Sequence, residues 1–99
     1  MLHTVNKSPG ERNAFDACIA HVKKGGAILL IEDGVYAATT GTAAAAKLKT
    51  VMKTVPVYAL QPDIEARGMQ SRVLDGVKLV DYGGFVDLVA EYPAVQSWL

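Results

Sequence analysis

Cys18 is the only thiol of the chain, and His21 follows it three residues later. A thiolate is nucleophilic and can be reversibly capped, so cysteine is the side chain suited to carry sulfur as a persulfide. A histidine at i+3 can share a helix face with a thiol and help it ionise. The competing reading is structural. Cys18 lies on the apolar side of a helical pattern with Ala14, Phe15, Ile19 and Val22, where a free cysteine acts as a small hydrophobe. It also sits mid-helix, away from the N-terminal dipole that lowers a thiol pKa. His3 and His21 are far apart in sequence and lack an HxxxH or CxxC partner. Each reads as a structural or surface histidine. Acidic residues stand at Glu32-Asp33, Asp63 and Asp81. They are possible metal ligands, but Asp63 and Asp81 are also natural helix caps, and no metal site is expected. GxGxxG and GxxxxGK[ST] are both absent, so the usual phosphate cradles are missing and no cofactor is expected.

The elements that position these residues radiate from Ala27-Ile28-Leu29-Leu30-Ile31, an apolar run without alternation. Such a strand is buried on both faces, as in a parallel sheet covered by helices. Glu32-Asp33-Gly34 breaks it, and a helical pattern follows from Gly34 to Thr39. Upstream, Leu2 to Val5 reads as strand one. Ser8-Pro9-Gly10-Glu11 has the form of a capping box and predicts a first helix from there to about Lys24, stopped by Gly25-Gly26. Downstream, Thr42 caps an alanine-rich helix, and Val55 to Leu60 reads as strand three. Asp63 to Arg67 forms a short helix, and Val77 to Val80 strand four. Asp81 caps a last helix with Phe85, Val86, Leu88 and Val89 on one face. Val95 to Leu99 is an apolar tail, either an edge strand or a docking segment.

This alternation predicts one domain over residues 1–99. Its class is α/β, a three-layer α/β/α arrangement with a parallel sheet of four to five strands. In such sheets ligands favour the strand carboxyl ends, here Asn6-Lys7-Ser8, Glu32-Asp33-Gly34, Gln61-Pro62-Asp63 and Asp81-Tyr82.

Lys+Arg and Asp+Glu are both 10, so the formal net charge is zero. That offers no basic footprint for direct nucleic-acid binding and no polybasic membrane patch. Hydrophobic residues make up 51%. A domain of ~100 residues buries only about two-thirds of its unfolded surface, so apolar side chains must remain outside, as in a subunit. A single cysteine fits a reducing compartment. No apolar run approaches the ~20 residues of a membrane span, and the first residues lack a signal-peptide layout. The expected location is the cytoplasm.

Several stretches together resemble the DsrH/TusB family. They are Met1 to Pro9, Leu29 to Ala38, Val57 to Leu60 with Asp63 to Gly68, Val80-Asp81-Tyr82, Phe85 to Leu88, and Val95 to Leu99. The match runs through nearly the whole chain in order, with Thr39 to Thr54 matching loosely. The resemblance implies the smallest of three related subunits in a hetero-hexamer with two copies of each, called DsrEFH in sulfur oxidisers and TusBCD in bacteria that thiolate tRNA. The partners it implies are DsrE/TusD-like and DsrF/TusC-like subunits and a DsrC/TusE-type acceptor of persulfide sulfur. The principal cysteine belongs to the DsrE/TusD subunit. The resemblance further implies a strand order of 4-3-2-1-5, and Cys18 as the cysteine of the DsrH branch, hence a candidate catalytic thiol whose presence points towards sulfur oxidation rather than tRNA thiolation. The alternative function is a stand-alone homo-oligomeric domain that binds a small ligand near Asp33, without catalytic activity.

Overall fold

The computed structural model describes residues 1–99. Its strands are β1 (Leu2–Val5), β2 (Ala27–Leu30), β3 (Val57–Leu60), β4 (Lys78–Val80) and β5 (Val95–Trp98). They form one sheet in the order β4-β3-β2-β1-β5, and every neighbouring pair is parallel. This is the order expected from the resemblance, and the C-terminal tail is its edge strand.

All four residues of β2 are fully buried. Alternate side chains serve opposite faces of the sheet, as the pleat requires. Ile28 and Leu30 join the larger core with Val5, Phe15, Cys18, Leu48, Val57 and Ile64. Ala27 and Leu29 join a smaller core with Leu2 and Leu88. The helices are α1 (Ala14–His21), α2 (Ala43–Val51), α3 (Gln61–Ala66) and α4 (Tyr82–Glu91). The first three supply the larger core; α4 supplies the helical part of the smaller one. No helix is long and apolar enough to cross a membrane.

Two caps follow the sequence. Thr42 Oγ1 accepts from the Ala45 N–H at 3.2 Å, and Asp81 Oδ1 accepts from the Gly84 N–H at 2.8 Å. Two elements depart from it. The Ser8–Glu11 capping box does not form: the Glu11 N–H closes a backbone turn onto the Ser8 carbonyl, and α1 starts only at Ala14. Gly10, poor in helix propensity, sits inside the would-be first turn. The helix also ends at His21, because Val22 is extended. The segment after β2, Glu32–Ala38, is a 3-10 helix. Its Gly34 passes so close to β1 that a Cβ would stand 2.0 Å from the Val5 carbonyl oxygen, so only glycine fits.

Candidate functional site

Cys18 points from α1 into the larger core and has no solvent exposure. Burial alone pushes its thiol up to about 12. Desolvation disfavours the charged form, and no neighbouring cation offsets it. At pH 7 a thiol with that pKa is ionised in only about one molecule in 10⁵. His21 is exposed one turn on, and its Nδ1 bonds the Ala17 carbonyl at 2.7 Å. The structure thus joins Cys18 to Phe15 and the sheet, and forms no hydrogen bond between Cys18 and His21.

The strand carboxyl ends bring the acids together around a residue that the sequence reading did not single out, Arg67. Its Nε and Nη2 donate to Asp33 Oδ1 at 3.0 and 2.8 Å, and its Nη1 donates to the Asp63 carbonyl oxygen at 3.2 Å. The guanidinium carbon lies 5.9 Å from the Tyr36 ring centroid. Hydrogen bonding to Asp33 raises the Arg67 pKa; burial opposes it, and the charges of Asp33, Asp63 and Tyr36 add smaller upward contributions. Asp63 Oδ2 accepts from the Glu32 N–H at 2.7 Å, and Glu32 is the one non-glycine residue with positive φ, at 50°. Asn6 Oδ1, at the end of β1, is buried without a partner. Nowhere do three or more His, Cys, Asp or Glu side chains cluster as metal ligands. Asp33, the anchor of the ligand-binding alternative, is therefore engaged by a guanidinium from its own chain. Asp81 is occupied as a cap. The signal for Arg67 was available in the Asp63–Arg67 spacing of i, i+4 on one helix.

On the opposite edge, His3, His21 and Trp98 meet. Trp98 Nε1 donates to His3 Nδ1 at 3.0 Å. The Trp98 ring lies 6.1 Å from the His3 ring, near-parallel to it, and 5.3 Å from that of His21. Burial lowers the His3 pKa, with help from the positive amino terminus and His21.

The outer side of α4 is the main apolar exposure. Tyr82 and Val86 are about two-thirds exposed, and Val89 continues the line at 40%. The spacing i, i+4, i+7 makes one stripe along the helix. Val95, whose register partner is Leu2, adds exposed apolar surface on that sheet face.

An all-parallel five-stranded sheet with its polar carboxyl edge closed by its own ion pairs defines a small α/β domain. The structure of the ychN protein from E. coli has the same fold, with a TM-score of 0.77 over 97% of both chains at 16% identity. A model for DsrH-like proteins matches residues 7–95. Protein TusB of Pectobacterium parmentieri is 39% identical over 98 residues, covering 99% of this chain and all of the relative. Protein TusB of Escherichia coli K12 is 35% identical over the same span. The chain belongs to the DsrH-like family.

Proposed function

We propose that this chain is a subunit of a hetero-oligomeric sulfurtransferase that passes persulfide sulfur to a DsrC/TusE-type acceptor. Its partners are DsrE/TusD-like and DsrF/TusC-like chains in a cytoplasmic hetero-hexamer. Family membership supports the sulfur-relay setting, and relatives named TusB favour the tRNA-thiolation branch over sulfur oxidation. The observation that carries the assembly role is the Tyr82-Val86-Val89 stripe. Isolated apolar side chains need no explanation, but a continuous line on a helix marks a contact surface.

In this reading the reacting thiol belongs to a partner, and Cys18 packs α1 onto the sheet. Its burial and its high pKa support that division. A relay role for Cys18 would require α1 to lift when a partner binds. Co-expression with the two partner chains and purification through a tag on this chain tests the reading. Recovery of all three chains in equal amounts supports it; recovery of this chain alone contradicts it.

A further inference from the structure

The edge beside β5 holds a cleft of about 460 Å³, lined by His3, His21, Lys23, Lys24, Gly25-Gly26 and Trp98 among others. It lies on the α1 side of the sheet, from the amino ends of β1 and β2 across to Trp98 on the edge strand, and shares no residue with the Asp33–Arg67 network. No acidic residue lines it.

Trp98 Nε1 is a donor only, so His3 Nδ1 must be the acceptor in their 3.0 Å bond. The His3 proton therefore resides on Nε2. His3 is only 5% exposed, and Nε2 meets no acceptor within the chain. It is an unpaired donor whose tautomer is set by Trp98 and whose ring borders the cleft. Lys23 and Lys24, both exposed, line the same cleft. His21 Nδ1 donates to the Ala17 carbonyl, which leaves its Nε2 without a partner in the chain.

The wall is built for close approach. Gly25 has a φ of 93°, and a Cβ on Gly26 would stand 2.8 Å from the Met1 carbonyl oxygen. The backbone conformation at Gly25 and the steric limit at Gly26 thus keep these two positions of the turn bare beside the lysines.

We propose that this cleft binds a small oxoanion of the phosphate or sulfate class, held by His3 Nε2–H, Lys23 and Lys24 beside the Trp98 ring. The ammonium groups of Lys23 and Lys24, with no acidic side chain lining the cleft against them, outweigh the negative end of the α1 dipole. A fixed N–H together with ammonium groups forms charge-assisted hydrogen bonds to such an ion.

Trp98 is the only tryptophan of the chain and sits in the site, so its emission reports directly. The full chain in dilute solution is titrated with sodium phosphate and with sodium sulfate, sodium chloride holding ionic strength constant. The expected result is a saturating change in Trp98 emission with either oxoanion. The double variant Lys23→Gln/Lys24→Gln lies on exposed residues and should fold normally, and its midpoint should rise about tenfold or more. His3→Phe, where circular dichroism shows it folded, should abolish saturation. A response no different from that of chloride, or an unchanged midpoint in the double lysine variant, overturns the proposal.

Discussion

Arg67 closes the carboxyl edge of the sheet by donating to one oxygen of Asp33 from two of its nitrogens, at 3.0 and 2.8 Å. The Asp33 side chain is half exposed and that of Arg67 one-fifth exposed. Solvent screening keeps such a pair modest. Arg67→Ala should lower stability by about 1 kcal/mol, counting the bond to the Asp63 carbonyl. Arg67→Lys should recover little, because a single ammonium cannot reproduce the fork. Urea unfolding of the two variants checks both expectations; full recovery by lysine would reduce the contact to simple charge attraction.

Glu32 carries the positive φ of 50° that joins β2 to the segment behind it. A non-glycine residue there costs on the order of 1 kcal/mol. Its N–H is held by Asp63, a bond that glycine would keep. Glu32→Gly should therefore be neutral or stabilising by up to about 1 kcal/mol, where glycine in a regular helix would destabilise. Thermal unfolding gives the sign. A clear loss of stability would show that the Glu32 side chain does more than tolerate its backbone.

Much of this architecture was legible in the sequence. The unbroken run at Ala27–Ile31 announced a strand covered on both faces, and Thr42 and Asp81 announced caps that form. The start of α1 was not legible, because Ser8 and Glu11 can satisfy a turn as readily as a helix. The 3-10 helix after β2 was hidden for a different reason. It follows from the squeeze of Gly34 against Val5, a contact between this segment and β1, which are distant in sequence. The candidate sites divide the same way. The apolar side of α1 placed Cys18 with its neighbours, whereas the His3–Trp98 bond joins residues at opposite ends of the chain.

Cys18 should resist alkylation in the native chain and react freely on unfolding. Cys18→Ser should cost on the order of 1 kcal/mol or more, for a buried hydroxyl without a partner. The raised pKa also fixes the sign of a pH dependence. The unfolded thiol loses its proton from about pH 9, and the folded one keeps it to about 12. Stability should fall as pH rises through that window and be unaffected by this group below it. Alkaline unfolding compared with Cys18→Ala isolates the effect; identical slopes would mean that the thiol is reached by water.

The account rests above all on the α4 stripe as a covered surface. The most direct measurement is the mass of the complex purified after co-expression with the two partner chains, for the unchanged chain and for Val86→Asp. Val86 is 66% exposed, so a charge there should leave the isolated fold intact. The account predicts a three-chain complex with the unchanged chain and its loss with Val86→Asp, while circular dichroism of the variant stays native. Assembly unaffected by Val86→Asp would contradict it.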